Sequence, residues 1–235
     1  MTGRFVGAVL GCLALAGGAD AQETRSPVVV ELYTSQGCSS CPPADEILAR
    51  LAKDPRVIAL ALHVDYWDYL GWKDKFADPK FSARQKSYAK AIRDRMVYTP
   101  QMIVQGQDRV VGSRGDEIEA AILRQMDRPS AVRMVLEQGD GGRVTIRAEA
   151  DPPPGKMLRV QLVRFRPAQD VTIKRGENSG RSLTYHNIVT SWQVLGDWSG
   201  EAPLIMEADA SGADPAVIII QSEGPAEILA AQKLR

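Results

Sequence analysis

Residues 28–34 read Val-Val-Val-Glu-Leu-Tyr-Thr, and the run stops just short of Cys38-Ser39-Ser40-Cys41. Pro42, Pro43 and a helical pattern follow at once. A short β-branched and apolar run is the composition of a strand buried on both faces. A strand that turns into a helix leaves a thiol at the helix N-terminus, where the dipole and the free N–H groups stabilise its anion. The anion is the form that attacks a disulfide, so this order of elements points to thiol–disulfide exchange. Cys38 comes first in the turn and is the expected nucleophile. Cys41 follows one turn on and is placed to resolve a mixed disulfide. Pro42 and Pro43 each disfavour helix at the residue before them, which predicts a kinked or late helix start. The alternative is a purely structural disulfide, but so short a ring gives little stabilisation in the chain-entropy model.

The chain has 235 residues, enough for one large domain or two small ones. Its 29 basic and 29 acidic side chains cancel, so no nucleic-acid or acidic-membrane partner is expected. Arg4, the apolar run from Phe5 to Ala16 and the small-x-small Ala19-Asp20-Ala21 read as a signal peptide over residues 1–21. The run is short for a bilayer span, and no stable membrane insertion is expected after cleavage. An N-terminal anchor, or a lipid-bearing Cys12 in Val9-Leu10-Gly11-Cys12, are the alternatives. Cleavage removes Cys12 and leaves Cys38 and Cys41. A periplasmic or secreted location follows, where the pair is a disulfide at rest. Two cysteines, with His63 and His186 at unrelated spacings, do not make a closed zinc site, and no metal or cofactor is expected.

Residues 28–34, a helix over 44–53 and an apolar strand over 57–64 imply a parallel pair with a right-handed crossover. Residues 66–97 are mostly helical in pattern, broken at Asp78-Pro79. A hairpin joins Ile103-Val104 to Val110-Val111, a helix runs from Gly115 to Met126, and Arg128-Pro129-Ser130 marks a boundary. Short alternating runs follow around Val132–Leu136, Val144–Ala148, Leu158–Leu162, Val171–Ile173, Leu204–Ala208 and Val217–Ile220, with a closing helix over Glu227–Leu234. The expected architecture is an α/β domain over residues 26–128 and a mainly antiparallel, sandwich-like β domain over 129–235.

Leu32-Tyr33-Thr34, three further residues and then Cys38-x-x-Cys41 resemble the glutaredoxin pattern. So do Thr99-Pro100-Gln101, the apolar strand after it, Gly106, Gly112 and Asp116. The resemblance implies a thioredoxin-like fold for residues 26–128 and a cis Pro100 packed against the cysteines. It also implies Thr99 pairing with a bound peptide or glutathione, and Ser113, Arg114, Gly115 and Asp116 lining the ligand end. Ser-Ser stands where glutaredoxins carry Pro-Tyr, and the segment before Pro100 is longer. Four further stretches resemble a secreted bacterial family of thioredoxin-like fold, catalogued as domain of unknown function 1223. They are His63-Val-Asp-Tyr-Trp-Asp-Tyr-Leu-Gly-Trp-Lys-Asp74, Phe81-Ser-Ala-Arg-Gln85, Tyr98-Thr-Pro-Gln101 and Gly180-Arg-Ser-Leu-Thr-Tyr-His-Asn187. This likeness covers nearly the whole mature chain and supplies no reaction.

His63 falls at the C-terminal end of the strand 57–64 and Asp65, Trp67 and Trp72 just after it, where open α/β sheets bind ligands. His63 or Asp65 is the expected proton relay to Cys41. Trp67, Trp72, Thr99, Gln101 and Asp116 are the expected substrate-binding residues; ordinary core packing is the alternative for the aromatic ones. Arg175-Gly-Glu-Asn-Ser-Gly-Arg181 is a polar loop, either a carboxylate clamp or a solvated hairpin tip. The function expected is an exported thiol–disulfide oxidoreductase in which Cys38, Cys41 and Pro100 act on protein or small thiol/disulfide substrates, glutathione among them. The alternatives are a binding module with a structural disulfide and copper delivery through Cys38, Cys41 and His63.

Overall fold

The computed structural model describes residues 26–234. The expected signal peptide and Cys12 lie outside them. Strand β1 (Val28–Thr34) pairs in parallel with β2 (Val57–His63) along its whole length, from Val28 opposite Val57 to Thr34 opposite His63. Helix α1 (Pro42–Leu51) makes the crossover between them. Side chains alternate between faces along each strand. Val28, Val30, Leu32, Val57, Ala59 and Ala61 pack on one face, under α1 and Ile118, Ala121 and Ile122 of a later helix. Val29, Tyr33, Ile58, Leu60 and Leu62 pack on the other. Burial on both sides is why the two strands carry apolar residues almost without interruption.

Helix α1 begins at Pro42, directly after Cys41, and is not delayed by the two prolines. The first N–H groups of a helix have no partner inside it, so proline there sacrifices no bond. Between β2 and the next helix only Asp68–Leu70 forms a short 3₁₀ turn, and the broadly helical expectation for 66–97 narrows to α2 (Pro79–Ala91). The Asp78 side chain caps α2 by accepting the Lys80 N–H at 2.8 Å. Phe81 and Tyr88 of α2 pack on the second face of the sheet. Strands β3 (Gln101–Val104) and β4 (Asp108–Val111) extend it antiparallel beyond β1, and α3 (Gly115–Met126) returns to the first face.

The remaining strands are β5 (Val132–Gln138), β6 (Arg143–Ala150), β7 (Leu158–Thr172), β8 (Ser182–Trp198), β9 (Leu204–Asp209), β10 (Ala216–Ser222) and β11 (Ile228–Lys233). They overturn the expected fold class. One mixed eight-stranded sheet runs β11-β10-β7-β8-β2-β1-β3-β4, and β5-β6-β9 form a second sheet of three strands. The described residues are mostly β with three α-helices, and the thioredoxin-like α/β domain followed by a sandwich is not what forms. The joint lies at β8, which runs parallel to β2 at Ala61–Ile188. Asn187, at φ +46°, donates its side-chain amide to the Ala59 carbonyl at 2.9 Å. Alternation along a chain marks a strand but does not name its neighbours, so one sheet reads as two.

Residues 228–233 also form a strand and not the expected helix. Ile-Leu-Ala-Ala is compatible with helix, but tertiary pairing overrides a weak propensity. Strand β11 pairs antiparallel with β10, and the Ile228 N–H donates to the Gln105 carbonyl at 3.0 Å. The Gln105 side chain accepts from the Val29 N–H and donates to the Ile228 carbonyl, both at 2.8 Å. Its neighbour Gly106 has φ +72°, and a Cβ there would lie 1.9 Å from the Ala226 carbonyl oxygen. Only glycine lets the β3–β4 turn seat against the C-terminal strands.

Glu31 sits fully buried in the middle of β1. Arg84 of α2 grips it with two hydrogen bonds, Nε to Oε2 at 2.7 Å and Nη2 to Oε1 at 2.8 Å. Tyr33 and Tyr88 donate their hydroxyls to the same carboxylate at 2.9 and 2.7 Å. Gln221 of β10 accepts from Arg84 at 3.0 Å and donates to the Tyr88 hydroxyl at 2.7 Å. The Arg84 guanidinium lies 3.8 Å above the Trp192 ring centre of β8. Removing one partner of such a pair strands a buried charge. Arg84→Met is therefore expected to lose about 3–5 kcal/mol of stability at neutral pH. Urea unfolding of the variant checks this, and a midpoint equal to the parent's would show the pair to be dispensable.

Candidate functional site

The chain leaves β1 at Thr34 and turns through Ser35–Cys41 by successive backbone bonds. The Cys38 N–H donates to the Ser35 carbonyl at 3.1 Å and the Cys41 N–H to the Cys38 carbonyl at 3.2 Å. The N–H groups of Ala44 and Asp45 then donate to the Cys41 carbonyl at 2.9 and 3.1 Å, so the turn feeds straight into α1. Cys38 and Cys41 are joined as a disulfide, their Cα atoms 5.4 Å apart. Cys38 is 2% exposed and Cys41 is fully buried, whereas Ser39 and Ser40 between them face solvent. The Ser40 Oγ lies 3.4 Å from Cys38 Sγ.

Aromatic and proline residues flank the turn. Trp67 donates its indole N–H to Thr99 Oγ1 at 2.7 Å and packs beside Gly37, where a Cβ would meet the Trp67 Cβ at 3.4 Å. The Thr99–Pro100 peptide bond is cis. Gly112 brings Pro100 and the first turn of α1 together: a Cβ there would lie 2.9 Å from the Pro100 Cβ and 3.1 Å from the Ala44 Cβ. Tyr69 stacks on Trp67 with ring centres 6.5 Å apart and is 78% exposed. Trp72 donates to Gln36 Oε1 at 2.8 Å. The structure thus brings Trp67, Trp72, Thr99 and Pro100 to the cysteine turn. Gln101 points instead to Gln85, accepting from its amide at 2.8 Å. Asp116 is exposed on the first turn of α3. Asp65 is taken up by Ser82 of α2, whose hydroxyl donates to it at 2.5 Å.

A buried row of acid–base groups borders the turn. His63 Nδ1 is 2.7 Å from Asp74 Oδ2, and neither side chain reaches solvent. Asp74 also accepts the Gln36 and Phe76 N–H groups at 2.8 and 2.9 Å. Burial pushes the Asp74 carboxyl up, but His63 and these hydrogen bonds outweigh it and hold the group below the usual carboxylate range. Asp45 behaves in the opposite way. Burial is the main cause that lifts its pKa from 3.8 to about 7, opposed by His63 and Thr34 and reinforced by Asp74 and Glu46. Asp45 Oδ1 accepts from the Thr34 hydroxyl at 2.9 Å. Asp45 Oδ2, His63 Nε2 and the Tyr185 hydroxyl are buried with no hydrogen-bond partner.

Sequence reasoning singles out His63 and Asp65 and passes over Asp45, which reads as an ordinary acidic residue favoured by the helix dipole. The available signal was its position. Cys41, Asp45 and Leu48 share one helix face, so Asp45 is a carboxylate on an otherwise apolar stripe. The polar tip 175–181 between β7 and β8 is exposed at Arg175, Glu177, Ser179, Gly180 and Arg181, with one exception. Asn178 is buried against the cysteine turn. Among the described residues no group of three or more His, Cys, Asp or Glu is placed to hold a metal ion. None of their helices is long and apolar enough to cross a membrane.

Residues 29–221 match the family of proteins of unknown function DUF1223, and the chain belongs to that family. A crystal structure of a protein from Agrobacterium tumefaciens is 32% identical to it, with 88% of this chain and 93% of that one covered and a TM-score of 0.74. HBP35 of Porphyromonas gingivalis is 15% identical, with 89% of this chain and 74% of that one covered and a TM-score of 0.57, a likeness of fold alone. No curated protein matches the chain.

The raised Asp45 pKa makes a stability prediction of definite sign. Below about pH 4 the carboxyl is protonated in both the folded and the unfolded chain. Between there and about pH 7 the unfolded chain loses this proton while folded Asp45 keeps it, so stability falls as pH rises. Asp45→Asn keeps the shape without the charge. It is expected to match the parent near pH 4 and to be about 2–4 kcal/mol more stable above pH 7. Urea unfolding at three pH values between these limits tests it; a difference that does not change with pH would mean that the fold does not perturb this carboxyl.

Proposed function

We propose that the protein exchanges thiols and disulfides through Cys38 and Cys41. The observation that carries this reading is the position of the disulfide in the turn opening α1, with the buried Asp45 carboxyl one helical turn behind Cys41. A substrate thiolate attacks Cys38 Sγ, the Cys38–Cys41 bond breaks, and a new bond joins the substrate sulfur to Cys38. Cys41 leaves as a thiolate and takes the proton of the neutral Asp45 carboxyl. A second thiolate of the substrate then attacks the substrate sulfur of the mixed disulfide, and Cys38 leaves. The substrate departs as a disulfide, oxidised by two electrons, and the cysteine pair is reduced by two. The protons gained by Cys38 and Cys41 equal those given up by the two substrate thiols. The reverse sequence reduces a substrate disulfide.

Each neighbour supports a step. The N-terminus of α1 stabilises the Cys38 thiolate as it leaves. His63, held on Asp74, opposes the burial of Asp45 and keeps its proton affinity near neutrality, where a proton carrier works best. Trp67, Tyr69 and Thr99 offer an aromatic wall and a polar edge beside Gly37, which suits a peptide flanking the reacting sulfur. Residues 1–21 support a place outside the cytoplasm, where a disulfide persists.

The signal-free protein equilibrated against a glutathione series gives the first test, with the state of Cys38 and Cys41 read by thiol labelling and mass. A reversible midpoint between ~−270 and −120 mV, the range of known exchange enzymes, is expected. A pair that stays oxidised below ~−300 mV would mark a structural disulfide and favour the binding-module alternative. Cys38→Ser is expected to abolish turnover and Cys41→Ser to accumulate mixed disulfides; full exchange by Cys38→Ser would overturn the mechanism.

A further inference from the structure

The tip between β7 and β8 reaches the cysteine turn from far along the chain. Asn178 lies 140 residues from Cys38 in sequence and is 2% exposed. Its amide Nδ2 donates to the Gln36 carbonyl at 3.0 Å and to the Cys38 carbonyl at 2.8 Å. Arg181 Nη1 donates to its Oδ1 at 3.1 Å, and these three partners together orient the amide. Glu177 Oε2 accepts the Ser39 N–H at 3.2 Å. The tip has its own frame. The Gly180 N–H donates to the Ile173 carbonyl at 2.8 Å and the Ile173 N–H to the Arg181 carbonyl at 2.9 Å. Gly176, at φ +76°, seats it on Trp72, whose Cβ would lie 3.2 Å from a Cβ at that position.

We propose that this tip is a strap that sets the reactivity of Cys38, with Asn178 and Glu177 as positioning residues. Asn178 grips the carbonyls on either side of Gly37 and so fixes the turn in the form that leaves Cys38 buried. Attack on Cys38 Sγ needs that turn to open, and local opening is governed by the bonds that must break. Glu177 acts on the charge of the site. The N–H groups ahead of a helix are free donors, and they are what lowers the pKa of a cysteine there. Glu177 occupies the Ser39 N–H and brings a carboxylate to the same turn, which disfavours a Cys38 thiolate. The closed strap therefore both shields the disulfide and makes the pair harder to reduce. Its purpose rests on the exchange reading above, but its effect on Cys38 is measurable without that reading.

The test uses the signal-free chain and three variants, Asn178→Ala, Asn178→Asp and Glu177→Gln. Three readouts are needed: the rate of Cys38–Cys41 reduction by dithiothreitol, the titration of Cys38 in the reduced protein by thiolate absorbance, and thermal unfolding. Both Asn178 variants are expected to be reduced about three- to tenfold faster than the parent, from the loss of the two carbonyl bonds. Glu177 is exposed, so Glu177→Gln should keep the parent melting temperature. Its Cys38 should nevertheless titrate at lower pH, and its pair should become easier to reduce, a combination that a merely structural role would not produce. Parent-like reduction in the Asn178 variants together with an unmoved Cys38 titration in Glu177→Gln would overturn the proposal. If the Asn178 variants do not fold, the Glu177→Gln titration decides alone. A parent that does not exchange with glutathione, alongside Asn178 variants that are reduced faster, would remove the exchange function and leave the strap standing.

Discussion

A carboxylate in the centre of an apolar strand sets the arrangement of this molecule. Glu31 has no route to water, and an unpaired charge there would make β1 untenable. Its compensation comes from three other elements: Arg84 and Tyr88 on α2, Gln221 on β10, and Trp192 on β8 stacked over the guanidinium. These groups must converge for any of them to be satisfied. The convergence clamps α2 to the sheet and draws the C-terminal strands toward β1. Strand β8 then lies beside β2, and the tip at the start of β8 comes to rest on the cysteine turn. The ion pair and the strap are thus two ends of one constraint.

The second buried polar layer, at the C-terminal ends of β1 and β2, is built differently. Around Glu31 the carboxylate oxygens and their donors are all paired. Around Asp45 and His63 three polar atoms are left without partners. Such atoms are costly in a folded interior and uncommon in native proteins. Here they gather around His63, in company with a carboxyl lifted to near neutral pH and another held low. Carboxyls pushed in opposite directions by their surroundings are the pattern of acid–base assignment at a site.

Much of the N-terminal half is legible from local pattern. The uninterrupted apolar runs of β1 and β2 announce strands buried on both faces, and α3 shows its bounds at Gly115 and Met126. Cys38 and Cys41 are recognisable from the turn they occupy, and Trp67, Trp72, Thr99 and Pro100 from the motifs that contain them. Local pattern misleads where a distant partner intervenes. Ile228–Lys233 has a composition that either helix or strand could use, and pairing with β10 and Gln105 selects strand. Pro42 and Pro43 discourage helix behind them yet open one ahead of them. Residues 182–198 lack a clean alternation because the β7–β8 ladder shifts register near Gln161 and Phe165, so that β8 does not keep one face to one side.

By itself the sequence determined what depends on neighbours a few residues apart: which runs are apolar enough to be strands, where α1 and α3 lie, and that two thiols close a turn at a helix start. Tertiary structure alone decided that both halves share one sheet, that Asp45 is buried beside Thr34 while Asp65 is bound by Ser82, and that Asn178 grips the Cys38 carbonyl. These outcomes depend on desolvation and on hydrogen bonds between residues more than a hundred positions apart. A carboxylate reads the same in a sequence whether it faces water or an apolar wall, and only the completed packing assigns it one or the other.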